Sequence, residues 1–337
     1  MENHANLSRG ASVAQSRFSE LIGESTPMHR LYSLIDRVSQ NTSPILLLGE
    51  TGTGKELVAR AIHFDGLRRE KAFVPVDCSA LTPTLIESEL FGHLKGAFTG
   101  AERSKLGLLQ TANEGTIFLD EIGELSIFLQ AKLLRALQEK EIRPVGSTEQ
   151  IPINARVIAA TNRDLEAVVR EGKFRQDLYF RLNVVQIRLP PLRERKVDIP
   201  LLVAYFLEKF SDRLQPVHTL SDDALRRLMT YDWPGNVREL ENAIECAVAL
   251  SANRVLTVDD LASVPNGTSA RSLPDGNELV PLAEIERRAV LHALRETGGD
   301  KLAAATLLGM GKTTLYRKLK EYAAAPQPSD QAEREEH

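Results

Sequence analysis

Two short segments of the chain carry the residue types that chemistry on phosphates requires. The first segment consists of Gly49, Glu50, Thr51, Gly52, Thr53, Gly54 and Lys55, between the apolar run Ile45–Leu48 and a helical pattern that starts near Glu56. Glycines let backbone N–H groups curl around phosphates, a helix N-terminus adds positive potential, and the lysine reaches the β and γ oxygens. This order predicts a Walker A loop. Glu56 stands where a Ser or Thr usually helps to hold Mg²⁺.

The second segment is the apolar run Thr116–Leu119, which ends in Asp120 and Glu121. A strand that delivers two carboxylates at its end is typical of a Walker B motif. In that motif Asp120 holds Mg²⁺ through water, and Glu121 polarises the attacking water. Together the two segments predict hydrolysis of ATP, a reaction that needs a cation cradle, a metal and a positioned water.

The elements that must position these residues alternate between strands and helices. Near-continuous apolar runs suit strands that are buried on both faces of a parallel sheet. The strand candidates are Ile45–Leu48, Phe73–Val76, Thr116–Leu119, Arg156–Ala160 and Val184–Leu189, and the apolar residues between Leu125 and Leu137 recur at helical spacing. The alternation predicts an α/β fold with a parallel sheet.

The pattern changes after Pro190 and Pro191. Leu201–Phe210, Asp222–Thr230 and Asn236–Leu250 all have helical patterns, which indicates a smaller α-helical lid domain. The predicted division is a disordered tail at 1–19, an ATPase core at 20–190, the lid at 191–263, a linker at 264–281, a small all-α domain at 282–322 and a disordered tail at 323–337.

Composition narrows the class of protein. The 337 residues have a net charge of -4, so any contact with DNA must come from a local basic patch. Cys78 and Cys246 are too few for a disulfide framework, and we expect both to be reduced packing residues. Because no apolar run is long enough to span a bilayer and the N-terminus is polar, we expect a cytoplasmic protein without a membrane segment.

One segment between the two phosphate motifs is more specific. Gly96, Ala97, Phe98, Thr99, Gly100 and Ala101 combine small residues with one aromatic side chain, which predicts a tight exposed loop with Phe98 and Thr99 projecting from its tip. A plain surface loop with a buried Phe is the alternative from composition alone. With this GAFTGA sequence the chain closely resembles the bacterial enhancer-binding proteins, the AAA+ activators of sigma-54 RNA polymerase. The resemblance extends from about Leu21 to Tyr322.

The resemblance implies an AAA+ P-loop NTPase sheet with a helical lid, and it implies roles for further residues. The GAFTGA residues contact sigma-54 when ATP drives the loop upward. Ile22 and Gly23 lie beside adenine, and the ATP site continues through Gly49–Glu56 to Asp120 and Glu121. The remaining predicted catalytic residues are Asn162 as sensor I, Arg175 and Arg181 as arginine fingers that act on a neighbouring subunit, and Arg238 as sensor II. Asp77 occupies a position where the family often has an Asn that restrains the Walker B glutamate. Asp77 is therefore a candidate switch residue, and an Asp that only shapes a turn is the open alternative.

The C-terminal segment has the layout of a helix-turn-helix. Small alanines allow close approach of two helices, and Gly309 lies at the turn between them. The second helix is basic and is similar to the Fis-type DNA-binding domain of the same family. The residues predicted to contact DNA are Lys312, Lys318 and Lys320 at phosphates and Thr313, Thr314 and Arg317 at base edges.

The sequence therefore predicts a sigma-54-dependent transcriptional activator that binds enhancer DNA and hydrolyses ATP with Mg²⁺ in a self-associated ring, with a hexamer as the family expectation. An AAA+ chaperone or helicase loader is one alternative, and a DNA-binding repressor with an idle ATPase fold is another. Because about 20 residues precede the ATPase, we expect control by a separate regulatory protein, by expression level or by subunit concentration.

Overall fold

The computed structural model describes residues 21–80, 82–210, 219–251, 253–261 and 264, and the single residues 290, 297, 301, 315 and 318. The chain divides into two compact units, Met1–Ser269 and Ala270–His337. In the second unit Val290 and Leu315 are helical and fully buried, and Lys318 is helical and half-buried. The predicted tails, nearly all of the predicted linker, and the predicted DNA contacts Lys312, Thr313, Thr314, Arg317 and Lys320 lie outside the described residues.

The first unit contains eleven described strands. They are β1 (Ile45–Leu48), β2 (Phe73–Asp77), β3 (Gly92–His93), β4 (Lys105–Leu106), β5 (Thr116–Asp120), β6 (Glu141–Ile142), β7 (Ile151–Pro152), β8 (Arg156–Thr161), β9 (Val185–Arg188), β10 (Thr219–Leu220) and β11 (Val255–Leu256).

The described α-helices of the same unit are α1 (Thr26–Ser39), α2 (Lys55–Phe64), α3 (Pro83–Phe91), α4 (Leu108–Thr111), α5 (Ile127–Glu139), α6 (Leu165–Arg170), α7 (Gln176–Leu182), α8 (Ile199–Phe210), α9 (Asp222–Thr230) and α10 (Asn236–Leu250). Short 3₁₀ turns occupy Ile122–Glu124, Leu192–Glu194, Lys196–Asp198 and Asp259–Leu261.

Five strands form one sheet in the order β2-β5-β8-β1-β9. Every neighbouring pair is parallel, with Leu46 opposite Ala159 and Ile117 opposite Val157. The central strand β8 is buried along its whole length, which explains the apolar run in its sequence. The predicted α/β class with a parallel sheet is confirmed, and the carboxyl ends of all five strands lie at one edge.

Successive side chains of a strand point to opposite faces of the sheet, so these apolar strands carry apolar side chains on both faces. Helices cover both faces. Leu46, Ile117 and Leu119 face one buried cluster that includes residues of α3, α5 and α7. Leu47 and Phe118 face a second cluster, which is built with α1 and α2.

The lid is a separate helical layer around a third cluster made from α8, α9 and α10. At its centre Trp233 is fully buried, and its Nε1 donates a hydrogen bond to the Leu228 carbonyl at 2.8 Å. No helix in the described part of the chain is long and apolar enough to cross a membrane.

Two small hairpins interrupt the α/β pattern. The β3–β4 hairpin carries residues 94–104, which include the GAFTGA sequence, and the β6–β7 hairpin carries residues 143–150. The two hairpin loops contact each other, since Leu94 N donates to the Val145 carbonyl at 3.0 Å and Val145 N donates to the Gly92 carbonyl at 2.9 Å.

Candidate functional site

The predicted phosphate-binding residues converge at the carboxyl edge of the sheet. The loop after β1, the carboxylates after β5 and Asn162 after β8 come together there, as expected for ligand sites in open parallel sheets. A cavity of about 600 Å³ opens beside them. Its walls include Ile22, Thr51–Val58, Asp120, Glu121, Arg195 and Arg238, so the core and the lid both contribute.

The Walker A loop has the backbone that a phosphate cradle needs. Gly52 and Gly54 have φ values of +79° and +98°, a left-handed conformation that favours glycine. The Thr53 hydroxyl donates to the Glu50 carbonyl at 2.7 Å and closes the turn. Lys55 starts α2 and is 6% exposed, so its ammonium group is held at the cavity wall.

Lys55 connects the two phosphate motifs. Its Nζ lies 3.1 Å from the Gly49 carbonyl oxygen and 3.3 Å from Glu121 Oε1. Burial raises the pKa of Asp120, and the nearby Lys55 charge opposes that rise. The site therefore holds one cation and two carboxylates in a partly buried cluster, which is the charge set for binding a metal–phosphate group.

Asn162 closes this cluster from the end of β8. Its Nδ2 donates to Thr51 Oγ1 at 3.1 Å, and its backbone N–H points to Glu121 Oε2 at 3.4 Å. The side chain thus touches the Walker A loop and the backbone touches the Walker B glutamate. The role of Asn162 as sensor I stays a prediction.

Asp77 ends β2 directly opposite Asp120 in the sheet register. Its Oδ1 accepts hydrogen bonds from the Ser79 N–H at 2.8 Å and from the Ser79 hydroxyl at 2.7 Å. In this conformation Asp77 shapes a turn, and its role as a switch residue stays a prediction. The neighbouring Cys78 is buried, which raises the pKa of its thiol to about 12, whereas Cys246 is exposed on α10 and the prediction that it packs in a core is wrong.

The N-terminal segment forms the far wall of the cavity. Ile22 lines the cavity, and at Gly23 a Cβ atom would lie 2.7 Å from Met28 Cγ and 2.9 Å from Asp198 Oδ2, so only glycine fits. Asp198 is 1% exposed and accepts hydrogen bonds from Ser25 N and Ser25 Oγ at 2.8 and 2.7 Å.

Sequence reasoning missed Arg195, whose guanidinium is buried in the cavity wall. It is 5% exposed, and its NH2 group donates to the Thr53 carbonyl at 3.4 Å. Burial lowers the pKa of Arg195, and Asp198 counteracts the shift. The signal available in the sequence was the charged run that follows the two prolines.

Two residues of the predicted ATP-binding set hold their carboxylates in ion pairs with arginines. Glu50 turns away from the cavity, and its carboxylate accepts two hydrogen bonds from Arg193 at 2.6 and 2.7 Å. Glu56 pairs with Arg60 one turn along α2, at 2.8 and 3.0 Å. Arg193 offers the Glu50 carboxylate a charged partner, and the place of Glu50 in the ATP-binding loop stays a prediction.

The predicted sensor II residue Arg238 lines the cavity from the first turn of α10. The Gly52 carbonyl accepts hydrogen bonds from the Val237 N–H at 3.0 Å and the Arg238 N–H at 3.4 Å. A Cβ atom at Gly52 would lie 2.2 Å from the Gly235 carbonyl oxygen, so the Walker A loop and the lid are in direct backbone contact.

Arg175 and Arg181 lie outside this cavity. The Arg175 guanidinium pairs with Asp177 at 2.7 and 3.0 Å, and Arg181 NH2 donates to the Leu137 carbonyl at 2.9 Å. Both residues are at least partly exposed at α7, where they are accessible from outside the subunit. They are not placed to act on this chain's own cavity.

The GAFTGA residues form a tight turn beyond β3. Gly96 N donates to the Ala101 carbonyl at 2.8 Å, and Ala101 N donates to the Phe98 carbonyl at 3.0 Å. Thr99 is exposed as predicted, but Phe98 is half-buried with its ring centroid 5.0 Å from that of His93. The prediction that Phe98 projects is therefore wrong for this conformation, because packing on His93 removes part of the ring from water.

Three family matches together cover most of the chain. Residues 21–188 match the sigma-54 interaction domain, residues 193–275 match the AAA+ ATPase lid domain, and residues 281–322 match the bacterial regulatory protein Fis family. The transcriptional regulatory protein ZraR of Escherichia coli K12 is 47% identical over 311 residues, which are 91% of this chain and 70% of ZraR. The chain is a sigma-54-dependent enhancer-binding protein.

Other members of the family agree with this assignment. The Nif-specific regulatory protein of Azotobacter vinelandii is 48% identical over 294 residues, 86% of this chain and 56% of that protein. The crystal structure of NtrX from Brucella abortus in complex with ATP is 33% identical, covers 95% of this chain and 73% of NtrX, and has a TM-score of 0.70. The predicted AAA+ fold, Fis-type helix-turn-helix and sigma-54-dependent transcription regulation are thereby confirmed.

Proposed function

We propose that this enhancer-binding protein hydrolyses ATP within a self-associated ring, expected to be a hexamer, and uses the energy to convert the closed complex of sigma-54 RNA polymerase into the open complex. The observation that carries the proposal is that one compact unit holds both the cluster of Lys55, Asp120 and Glu121 and the intact GAFTGA turn. The energy of ATP hydrolysis at this cluster can therefore be transmitted through one folded unit to the GAFTGA turn.

Lys55 has a central part in the proposed ATP site. Its Nζ is shared between the Gly49 carbonyl and Glu121 at 3.1 and 3.3 Å. Phosphate oxygens compete with Glu121 for this ammonium group. When Lys55 turns to phosphate, the Glu121 carboxylate is released to orient and polarise a water for in-line attack.

The donor set at the end of β5 fits Mg²⁺, which prefers oxygen ligands and keeps several waters. Asp120 offers one carboxylate, and phosphate oxygens would complete the site, since no group of three His, Cys, Asp or Glu side chains that could hold a metal occurs among the described residues. Glu56 adds no ligand in this conformation because Arg60 holds its carboxylate. When bound, Mg²⁺ neutralises charge that develops on the phosphates.

In the ring, Arg175 and Arg181 would act on ATP in the neighbouring subunit. Both lie away from their own cavity, and both are accessible at the surface. Arginine side chains stabilise charge on the transferred phosphoryl group, and in this arrangement hydrolysis requires self-association. Arg238 and Asn162 serve the same chain's cavity, from the lid and the core respectively.

The GAFTGA turn is proposed to contact sigma-54 through Thr99 and Phe98. Thr99 is already exposed, whereas Phe98 must leave His93 to add its ring to the contact. At the other end of the chain, residues 282–322 are proposed to bind palindrome-like enhancer DNA as a dimer through Lys312, Thr313, Thr314, Arg317, Lys318 and Lys320. The division into a core at 20–190 and a lid at 191–263 belongs to the same proposal.

The sharpest test is binding of purified sigma-54 in the presence of a transition-state analogue of ATP hydrolysis. We expect a stable complex with the unaltered chain and at least a tenfold loss with Thr99→Ala. An AAA+ chaperone or helicase loader gives no complex with either chain. A repressor with an idle ATPase fold gives no steady-state ATP turnover at any protein concentration, which would contradict the proposal.

Control of the activity is proposed to come from a separate regulatory protein, from expression level or from subunit concentration. If the pure chain forms open complexes constitutively, with a steep dependence on its own concentration, then a regulatory partner is not obligatory. If it stays inactive at all concentrations while its ATP site is filled, then such a partner is required.

A further inference from the structure

The Walker A residue Glu50 belongs to a contact that crosses from the phosphate loop to the lid. The Arg193 guanidinium donates to both of its carboxylate oxygens, at 2.6 and 2.7 Å. The Asn236 amide donates to the same carboxylate at 3.2 Å. We call Glu50, Arg193 and Asn236 the lid clamp. Isolated surface ion pairs contribute little, but this pair is bidentate and has a buried third partner.

Asn236 is the buried centre of the lid clamp. It is 0% exposed and has a φ of +54°, a conformation that asparagine tolerates better than most residues. Its Nδ2 also donates to the Thr51 carbonyl at 3.1 Å, and its Oδ1 accepts from the Leu192 N–H at 2.8 Å. One side chain therefore joins the phosphate loop, the turn that leads into the lid, and the start of α10.

The lid clamp lies next to the residue that reaches the ATP cavity from the lid. Arg238 follows Asn236 by two positions, and its N–H and that of Val237 both point to the Gly52 carbonyl. The start of α10 is thus fixed to the phosphate loop by backbone contacts at Gly52 and by side-chain contacts at Glu50. Both sets of contacts hold the first turn of α10, from which Arg238 lines the cavity.

We infer that Glu50, Arg193 and Asn236 are positioning residues that hold the lid so that Arg238 faces the phosphates of ATP. Glu50 acts on the lid and is not a ligand of the nucleotide. This inference rests on the ATP-binding part of the proposed function and does not involve sigma-54.

The Glu50→Gln variant distinguishes positioning by the lid clamp from a simple effect of the Glu50 charge on ATP. A carboxylate close to a triphosphate repels it, so Glu50→Gln should tighten ATP binding if Glu50 acts only through its charge. If the lid clamp acts by positioning, Glu50→Gln weakens binding of a non-hydrolysable ATP analogue by about tenfold, the size of one charge-assisted hydrogen bond. The Kd of the ATP analogue, measured by calorimetry for both chains, distinguishes these two predictions. Unchanged or tighter binding by Glu50→Gln overturns the inference.

A double-mutant cycle tests whether the lid clamp acts through Arg238. Arg193→Ala should weaken analogue binding by about tenfold in the unaltered chain, and by no more than about twofold when Arg238→Ala is already present. If the two effects multiply in full, the clamp does not position Arg238 and the inference fails. Arg193→Lys keeps the charge without the bidentate geometry, and we expect it to recover only part of the affinity.

The lid offers a matched control. Lys196 pairs with Asp232 at 2.7 Å, an ion pair of the same length that does not reach the phosphate loop. Asp232→Asn should leave analogue binding unchanged, while circular dichroism and the thermal midpoint show that each variant is folded. If Asp232→Asn weakens binding as much as Glu50→Gln does, the effect is a general loosening of the lid and the inference is overturned. If the ATP analogue binds as expected but purified sigma-54 forms no complex with the chain, that result contradicts the proposed function and not this inference.

Discussion

Alanine at Gly52 should separate the lid from the phosphate loop, and alanine at Gly54 provides the matched control. Both glycines have left-handed backbones, with φ values of +79° and +98°. At Gly54 a Cβ atom meets only Leu57 Cδ1, at 3.9 Å. At Gly52 it would lie 2.2 Å from the Gly235 carbonyl oxygen, which is backbone and can move only if the lid moves.

The expected magnitudes follow from these contacts. A left-handed alanine costs about 1–2 kcal/mol at either position. Gly52→Ala additionally breaks the two hydrogen bonds from Val237 N and Arg238 N to the Gly52 carbonyl. At about 1 kcal/mol for each bond, Gly52→Ala should be about 2 kcal/mol more destabilising than Gly54→Ala.

Native-state hydrogen exchange measures this difference at the lid itself. We expect the amides of Val237 and Arg238 to exchange about 30-fold faster in Gly52→Ala than in Gly54→Ala, since 2 kcal/mol corresponds to that factor. If the two variants show the same exchange at the start of α10, the close approach does not hold the lid and the reasoning is refuted.

Three further predictions concern the core, the lid and the Walker B strand. Ile158→Ala should lower the free energy of unfolding by about 2–5 kcal/mol in urea titrations, because the side chain is fully buried in β8. Trp233→Phe should cost about 2 kcal/mol in the same assay, since the Leu228 carbonyl loses its buried donor. Asp120→Asn should abolish ATP turnover yet raise the thermal midpoint. Burial raises the pKa of Asp120 from its ordinary 3.8, so stability is lost as pH rises above that value, and the gain from Asn should vanish toward pH 3.

The parts of the fold that sequence predicted best are those where burial imposes a simple pattern. The strand at Ile45–Leu48 and the helices Asp222–Thr230 and Asn236–Leu250 have the predicted bounds. The strand Ile45–Leu48 is an unbroken apolar run because both of its faces are covered by helices. The helix at Thr26–Ser39 was not predicted, although its buried face has ordinary helical spacing.

The contacts that sequence could not predict join residues far apart in the chain. Glu50 meets Arg193 across 143 positions, and nothing local to either residue indicates the pairing. The Walker A motif predicts that Glu50 lies in the phosphate loop, but the motif does not indicate which residue its side chain contacts. Phe98 shows a different, local limit: its glycines indicate a turn, but the sequence does not show that the turn folds the aromatic ring back onto the nearby His93.

Open-complex formation at a sigma-54 promoter with ATP, measured with the unaltered chain and with Thr99→Ala, tests the central claim most directly. Thr99 is exposed on the GAFTGA turn and contributes nothing to the ATP cavity. We expect the variant to lose promoter melting while its ATP turnover stays within about twofold of the original. Normal melting by the variant, at unchanged ATP turnover, would contradict the claim that this turn transmits the energy of hydrolysis to the polymerase.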